Sequence, residues 1–229
     1  VIGNGGYQFS PLTSSTNDAR DISETLKKMG FAVTLVLDAD QAAIEKNIND
    51  FGKKLYNGGT GLFYYSGHGV QHAGGNYLVP IGTDTAISTP EQLRYKAVNV
   101  GYVIGVMKEA GNSLNIVILD ACRNSPFKGF IRSVDRGLVR EQGAEGMIIA
   151  YATSPGKVAL DGSGRNSPYT KHLLSQMTVA NVPIEIMFKN VRSAVVKETS
   201  GEQTPWYESS IEGDFTFVRR YGGSVSSAP

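Results

Sequence analysis

Short runs of β-branched, aromatic and aliphatic residues along the chain predict buried strands. The clearest are Phe31–Leu37, Gly61–Ser66, Asn115–Cys122 and Met147–Ala152. Between these runs, apolar residues recur at intervals of three and four, the spacing of amphipathic helices. Strands that alternate with helices predict an α/β protein whose mainly parallel sheet is covered by helices on both faces.

The helices are predicted by their apolar faces and by the residues at their ends. Thr16 or Asn17 caps the first helix and Gly30 ends it, while Ser167-Pro168 begins a later helix. A hairpin is predicted around Gly74–Pro80, and a final strand at Phe215–Val218. The apolar helix faces are Ile22-Leu26-Met29, Ile44-Ile48-Phe51-Leu55, the stretch Val100–Glu109, and Ile184-Met187-Phe188-Val191-Val195.

Composition narrows the class of protein without identifying it. The chain has 229 residues, 41% of them hydrophobic and 19% charged, and a formal net charge of +1. This length suits one sizeable α/β domain, and the near-neutral charge gives no reason to expect a nucleic-acid or membrane partner. No apolar run approaches the roughly 20 residues that cross a bilayer. The single cysteine fits a reducing compartment, so we expect a cytoplasmic protein.

The two ends of the sequence resemble the borders of an excised domain. Val1–Asn4 has the pattern of the end of a strand, and 221–229 is a Gly/Ser-rich stretch typical of a linker to a missing region. We interpret the chain as a domain from a longer protein, whose localisation signals can lie outside the residues given.

Candidate chemistry lies at the ends of two predicted strands. Cys122 ends one strand, and His68 follows another within Gly67-His68-Gly69. In an open α/β sheet, catalytic groups gather at the carboxyl ends of strands. A thiol with a pKa of about 8.5 needs a nearby imidazole to become a nucleophile, and the imidazole can then protonate a leaving amine. We expect His68 and Cys122 to form a catalytic dyad, with the amides of Gly69 and Cys122 as the oxyanion hole.

Two motifs then carry a family resemblance. Tyr64-Tyr-Ser-Gly-His-Gly69 and Leu119-Asp-Ala-Cys-Arg-Asn124 resemble the caspase-like cysteine peptidases, most closely the bacterial metacaspase-type branch known as orthocaspases. Supporting stretches are Asn17–Arg20, Tyr151–Gly156 and Gln203–Trp206. The resemblance implies a caspase-like (caspase-hemoglobinase) three-layer sandwich with a six-stranded sheet.

The resemblance also implies a division of the chain. The peptidase domain would span 1–220, with a larger-subunit-like part at 1–130, a linker at 128–146 and a smaller-subunit-like part at 147–220. Arg132, Arg136 and Arg140 in the linker are candidate autoprocessing sites of a zymogen. An ordinary charged surface loop is the alternative interpretation of this segment.

Substrate preference follows from where the resemblance places three acids. Asp18, Asp120 and Asp161 would line the pocket for the residue before the scissile bond, where a buried carboxylate pair favours a bidentate guanidinium. We expect cleavage of peptide and protein substrates after Arg, then Lys, and little after Asp. Alternatively, Asp18 is a helix-start carboxylate and Asp120 a structural acid.

The remaining expectations concern the rest of the substrate site and cofactors. The substrate would pair with a strand formed by Gly156, Lys157, Val158, Ala159 and Leu160, and Trp206 and Tyr207 would floor a neighbouring pocket, or else be core. We expect no metal and no cofactor, because Asp84 and Glu91 form no acidic cluster of the kind calcium prefers. We also expect a monomer.

Other functions remain open at this level. The chain could be a catalytically silent caspase-like scaffold that binds peptides, or another Arg-specific peptidase of the same broad fold, such as a clostripain-like protein. A zinc site at His68 and His72 and a nucleotide-binding module are weaker alternatives, since no further ligand and no phosphate loop is visible.

Overall fold

A computed structural model describes residues 1–122, 127, 138, 145–154, 157, 159–221 and 224–227. For Cys122, Tyr221 and 224–227, the backbone alone is described. The strands are β1 (Ile2–Gly3), β2 (Val36–Leu37), β3 (Thr60–His72), β4 (Gly75–Leu78), β5 (Val98–Asn99), β6 (Leu114–Cys122), β7 (Met147–Tyr151), β8 (Trp206–Ser209), β9 (Val218–Tyr221) and β10 (Ser224–Ser227). The α-helices are α1 (Ser15–Lys28), α2 (Gln41–Leu55), α3 (Thr83–Ala86), α4 (Leu93–Lys96), α5 (Val100–Glu109), α6 (Pro168–Met177) and α7 (Ile184–Glu198).

The central sheet has the strand order β2-β1-β3-β6-β7-β8. Its strands are parallel except β8, which pairs with β7 in the antiparallel direction. β4 forms an antiparallel hairpin with the last residues of β3 and also pairs with β5. β9 and β10 form a separate two-stranded sheet. The expected mainly parallel six-stranded sheet is therefore confirmed.

Each face of the sheet carries its own hydrophobic core. Alternate residues of β3, Phe63 and Tyr65, pack with α2 and α5 on one face. Tyr64 packs on the opposite face with residues of α1, α6 and α7. Because side chains alternate along a strand, the continuous apolar runs seen in the sequence supply both cores at once. The three-layer α/β sandwich is confirmed.

Two of the predicted strands differ from the structure. Of Phe31–Leu37, only Val36 and Leu37 are in a strand. The register pairs Val36 with Ile2, and the Val1 amine donates to the Thr34 carbonyl at 3.0 Å. A cavity of about 420 Å³ borders residues 31–34 and the beginning of β3. The predicted strand was therefore wrong for residues 31–35.

The predicted final strand, Phe215–Val218, shares only Val218 with the observed β9, so its position was wrong for residues 215–217. The strand that pairs with β7 is β8, whose half-buried residues give only a weak sequence pattern. Phe215 and Phe217 instead pack edge to face against one another, with ring centroids 5.1 Å apart, and Phe217 joins the core beside α7. The apolar pattern there reflects burial of a connecting segment.

β3 is longer than predicted, and this changes the setting of His68. The residues expected to form a loop continue the strand to His72 and turn back through Ala73 and Gly74, both with positive φ, into β4. Two consecutive left-handed residues are the geometry of a tight hairpin turn. His68 therefore lies inside a strand, at the point where β3 stops pairing with β6 and begins to pair with β4.

Close packing of α1 against β1 depends on Gly3. A Cβ at this position would lie 2.5 Å from both the Ala19 Cβ and the Ser15 carbonyl oxygen. Ser14, rather than the predicted Thr16 or Asn17, is the residue that precedes the helix. Gly3 thus allows the first turn of α1, with Asp18, to lie directly over the sheet.

We predict that Gly3→Ala destabilises the protein by roughly 1–3 kcal/mol, because backbone and Cβ atoms cannot move aside as a flexible side chain can. Urea unfolding followed by circular dichroism measures the loss. Gly105→Ala is the matched control: its Cβ would meet nothing within 4 Å in α5, so it should stabilise by about 0.5–1 kcal/mol. Equal effects of the two substitutions would contradict this account.

Candidate active site

The parallel ladder between β3 and β6 ends with His68 opposite Cys122. Neighbouring strands lie about 4.8 Å apart, so the backbones of these two residues are adjacent at the carboxyl end of the sheet. The Cys122 side chain lies outside the described residues. The ladder alone therefore brings the backbones of the two predicted dyad residues together.

The His68 imidazole is 1% exposed, and its Nε2 lies 2.6 Å from the Ser10 carbonyl oxygen. A carbonyl oxygen can only accept, so Nε2 carries a proton, and in the neutral ring Nδ1 is the basic nitrogen. The Tyr7 ring packs against the imidazole with centroids 4.4 Å apart. The segment between β1 and α1 thus fixes both the tautomer and the plane of the ring.

Two tyrosines hold the backbone of His68. The Tyr7 hydroxyl accepts from the His68 amide at 3.1 Å and donates to the Val79 carbonyl at 2.8 Å. The Tyr65 hydroxyl donates to the His68 carbonyl at 2.8 Å and lies 3.2 Å from the Tyr7 hydroxyl. A Cβ at Gly67 would lie 2.5 Å from the Tyr65 hydroxyl, so this glycine makes room for the tyrosine pair.

The glycines beside His68 thus have packing reasons that sequence analysis did not find. At Gly69, a Cβ would lie 2.8 Å from the Ala121 Cβ of the neighbouring strand. The glycine lets β3 approach β6 at this point. The role of the Gly69 and Cys122 amides as an oxyanion hole stays a prediction.

Asp18 and Asp120 form a buried acidic pair on the α1 side of the sheet. Both are at most 1% exposed. Asp18 accepts hydrogen bonds from Ser66 Oγ at 3.1 Å, Asn166 Nδ2 at 3.0 Å and the Ser167 amide at 3.1 Å. The sheet register contributes directly, because Ser66 on β3 lies opposite Asp120 on β6.

Asp120 is bonded through one of its two oxygens. Its Oδ2 accepts from Ser167 Oγ at 2.5 Å and from Thr170 Oγ1 at 2.7 Å, both at the start of α6. Its Oδ1 has no hydrogen-bond partner among the described residues. One acceptor of the pair is therefore buried without a hydrogen bond from the described residues.

Burial and mutual repulsion raise the pKa values of this pair. Burial raises the pKa of Asp18 to about 8, the charge of Asp120 adds to the shift, and three hydrogen bonds oppose it. Burial likewise raises the pKa of Asp120 to about 6, against the hydrogen bonds from Ser167 and Thr170. The two groups titrate together, and the free pair holds a proton near neutral pH.

Asp161 lies close enough to Asp120 for its charge to raise the pKa of that residue. Its oxygens are engaged elsewhere: they accept from the amides and hydroxyls of Thr13 and Ser14, three of these at 2.8–3.1 Å. Burial alone would raise the pKa of Asp161, but these bonds hold it below its ordinary value. Asp161 is thus an ionised carboxylate that anchors the start of α1 beside the acidic pair.

Sequence analysis missed the polar residues around the pair. Ser66, Asn166 and Thr170 drew no attention, and Ser167 was noted only as a helix cap, which it also is, since its Oγ accepts from the Thr170 amide at 3.0 Å. A signal was available, because hydroxyl and amide side chains stand two residues before His68 and at the start of a helix. It becomes specific only when the fold brings these residues to the same carboxylates.

The structure separates Trp206 from Tyr207. Trp206 stacks on Tyr151 with ring centroids 5.5 Å apart, on the α2 and α5 side. Tyr207 packs on Phe188 of α7 at 5.4 Å, on the opposite face. Consecutive strand residues point to opposite faces, so one pocket floored by both was a wrong prediction.

The predicted substrate strand is described in part. Lys157 is exposed and its amide donates to the Ser154 carbonyl at 3.0 Å, Ala159 is buried, and the Leu160 amide donates to Gln203 Oε1 at 3.1 Å. None of the three is in a strand. Outside the described residues lie Gly156, Val158, Arg132, Arg136 and Arg140.

The described residues contain no group of three or more His, Cys, Asp or Glu side chains placed to hold a metal ion. The His172 side chain forms a hydrogen bond between its Nε2 and Glu198 Oε2, at 2.6 Å. In the part of the chain that the structure describes, no helix has the length and apolar character required to cross a membrane.

The family model described as Caspase domain matches residues 1–216. The chain belongs to the caspase-domain family.

Curated relatives of this caspase domain are distant. It is 26% identical over 217 residues to human (Homo sapiens) mucosa-associated lymphoid tissue lymphoma translocation protein 1, over 92% of this chain and 25% of that protein. The mouse (Mus musculus) homolog is 26% identical over 234 residues, 100% of this chain and 27% of that protein. The chain thus spans about a quarter of the length of these relatives. The finer placement among metacaspases and orthocaspases stays a prediction.

We predict that Asp18→Asn stabilises this caspase domain near neutral pH. An unfolded carboxyl titrates near 3.9, whereas the pKa of the folded pair is raised, so the folded protein holds protons that the unfolded chain releases. The free energy of unfolding should therefore fall as pH rises from about 4 to about 8. Asp18→Asn should flatten this slope and add on the order of 1–3 kcal/mol at pH 8, because the Ser66 hydroxyl can turn to accept from the new amide.

Asp21→Asn is the matched control on the same helix. Two hydrogen bonds from Arg165, at 2.8 and 2.9 Å, lower the pKa of Asp21, so its removal should cost up to about 1 kcal/mol at neutral pH. Chemical unfolding at a series of pH values measures both variants. A loss of stability in Asp18→Asn at pH 8, like that in Asp21→Asn, would contradict the raised pKa of the buried pair.

Proposed function

We propose that the chain is a cysteine endopeptidase that uses Cys122 as nucleophile and His68 as acid and base. The observation that carries the proposal is the pairing of His68 with Cys122 in the β3–β6 ladder, together with the bond between His68 Nε2 and the Ser10 carbonyl. Membership of the caspase-domain family adds support.

In the proposed mechanism, His68 takes the thiol proton of Cys122 at Nδ1 and becomes an imidazolium. The thiolate attacks the substrate carbonyl carbon, and the amides of Gly69 and Cys122 donate to the resulting oxyanion. Collapse of the intermediate breaks the C–N bond as Nδ1–H protonates the leaving amine. Water then hydrolyses the thioester with His68 as base. The Ser10 carbonyl keeps Nε2 protonated throughout, so that only Nδ1 exchanges protons.

We propose that the acidic pair selects Arg, then Lys, before the scissile bond. A planar guanidinium can donate several hydrogen bonds at once, and Asp120 Oδ1 is an acceptor without a partner among the described residues. Its charge would also relieve the repulsion that keeps the pair protonated. A Lys ammonium offers the charge without the planar fork, and a substrate Asp would add a third buried negative charge.

Three further proposals concern the rest of the substrate site and the calcium requirement. Asp161, ionised and close to Asp120, would add negative potential to the pocket. Gly156, Lys157, Val158, Ala159 and Leu160 would pair with the substrate backbone as an added strand. We also propose activity without calcium: the Asp84 carboxylate accepts from two backbone amides, at 2.6 and 2.9 Å, so one of its oxygens is already engaged.

We predict that fluorogenic peptides identical except for the last residue are cleaved in the order Arg, Lys, and then, barely, Asp. Cys122→Ala should lose more than about 10³-fold in kcat/KM. Asp120→Asn should lose roughly 10- to 100-fold for the Arg peptide, since a hydrogen bond to a charged group contributes about 1.5–3 kcal/mol. Parallel assays with excess chelator should give the same rates.

A preference for Asp would overturn the pocket assignment while leaving the dyad intact. Unchanged turnover in Cys122→Ala would overturn the peptidase mechanism. A silent peptide-binding scaffold is distinguished by an arginine-directed chloromethyl ketone, because covalent labelling at Cys122 requires an activated thiolate beside a bound Arg side chain. The aspartate-directed reagent of the same length is the control.

We further predict self-cleavage after Arg132, Arg136 or Arg140, since all three carry the residue that the acidic pair is proposed to select. The wild type should separate into a larger and a smaller fragment on a denaturing gel, and Cys122→Ala should stay intact. A triple Arg→Gln variant of these positions should also stay intact but should still cleave the Arg peptide. Identical banding of wild type and Cys122→Ala would exclude autoprocessing.

A further inference from the structure

The segment that touches the imidazole has no regular secondary structure of its own. Residues 7–10, here called the histidine-facing segment, contribute the Tyr7 ring and the Ser10 carbonyl to His68. Tyr7 is buried, but Gln8 and Phe9 are exposed and Ser10 is half-buried. Side-chain packing therefore holds the segment at Tyr7, while the position of Ser10 depends on backbone hydrogen bonds.

Those bonds are made by a buried carboxylate from a distant part of the chain. Asp84 Oδ2 accepts from the Gln8 amide at 2.6 Å and from the Phe9 amide at 2.9 Å. Asp84 is 2% exposed and lies in α3, more than 70 residues further along the chain. Two consecutive amides on one carboxylate oxygen fix the direction of the backbone immediately before Ser10.

Hydrogen bonds also fix the backbone on either side of Asp84. Its neighbour Thr83 donates through Oγ1 to the Lys96 carbonyl at 3.0 Å, and the Ile81 amide donates to the Ala39 carbonyl at 2.9 Å. β4, which precedes α3, pairs with β3 next to His68. The position of the Asp84 carboxylate is thus linked through β4 to β3, the strand that carries His68. The histidine-facing segment contacts both side chains.

We propose that Asp84 is a positioning residue that holds the Ser10 carbonyl against His68 Nε2, and so keeps Nδ1 as the nitrogen that exchanges protons. The catalytic part of this inference rests on the proposed function of His68. Without Asp84, the ring loses the acceptor that selects its tautomer, and a displacement of about 1 Å at a catalytic group can cost on the order of 100-fold in rate.

A matched control lies at the other end of the same connection. Asp38 Oδ1 accepts from the Gly5 and Gly6 amides, both at 2.8 Å. The chemistry is the same, a carboxylate on two consecutive amides, but Asp38 is exposed and its partners precede the Tyr7 ring. Asp38→Ala therefore removes an anchor of the connection without removing the one next to Ser10.

The first measurement is steady-state kinetics on the Arg peptide. Asp84→Ala should lower kcat by roughly 10- to 100-fold with KM within about twofold, because the acidic pair is built by other residues. Asp84→Asn, which keeps an uncharged acceptor oxygen, should recover part of the rate. Asp38→Ala should stay within about twofold of wild type in both parameters. Equal losses in kcat for Asp84→Ala and Asp38→Ala would overturn the assignment in favour of general loosening.

The second measurement does not require peptidase activity. The chain has 3 histidines, so long-range ¹H–¹⁵N correlation spectra of ¹⁵N-histidine-labelled protein contain few signals, and His68→Gln assigns the relevant one. Neutral His68 should carry its proton on Nε2 alone in wild type and Asp38→Ala, and should show both tautomers in Asp84→Ala. An unchanged single Nε2–H tautomer in Asp84→Ala would overturn the inference.

The two measurements separate this inference from the proposed function. If the wild type cleaves no peptide but the tautomer changes in Asp84→Ala, the peptidase assignment fails while Asp84 still positions His68. If the wild type cleaves peptides and Asp84→Ala changes neither kcat nor tautomer, the positioning role fails alone. Should Asp84→Ala not unfold cooperatively, Asp84→Asn carries both measurements, with a mixed tautomer and lowered kcat as the expected results.

Discussion

Nine consecutive residue pairs join β3 to β6 in parallel, from Thr60 opposite Leu114 to His68 opposite Cys122. Two of these pairs build the site: His68 with Cys122, and Ser66 with Asp120. A slip of one residue would move the side chains of the shifted strand to the opposite face of the sheet. The apolar side chains that fill those cores therefore fix the register, and the register fixes which polar residues meet. In this sheet, the packing that stabilises the fold is the same packing that assembles the candidate chemistry.

The acidic pair opposes that stability. Two carboxyl groups that share a buried site cannot both ionise without a cation, and their raised pKa values express the free energy that their ionisation costs the folded state. Ser66, Ser167 and Thr170 offset part of this cost through hydrogen bonds.

The apolar patterns of the sequence were enough to predict the layers, most of the helices and the central parts of β3 and β6, because burial on both faces leaves long apolar runs. They failed at residues 31–35, where an apolar run precedes the start of β2, and at β8, an edge strand whose pattern is weak. Ser10 and Asp84 could not be found this way. Ser10 contacts His68 through a backbone carbonyl that every residue possesses, and the Asp84 carboxylate meets its partner amides only after folding closes a separation of more than 70 residues.

Five aspartates near the site do two different kinds of work, and their surroundings decide which. Asp38, Asp84 and Asp161 accept from backbone amides of the connection between β1 and α1. Asp18 and Asp120 face one another, and Asp120 keeps an oxygen without a partner among the described residues. Asp84 binds this connection next to Ser10, and Asp161 binds it next to the start of α1. A displacement of that connection would therefore reach both the imidazole, which contacts Tyr7 and Ser10, and the first turn of α1, which carries Asp18.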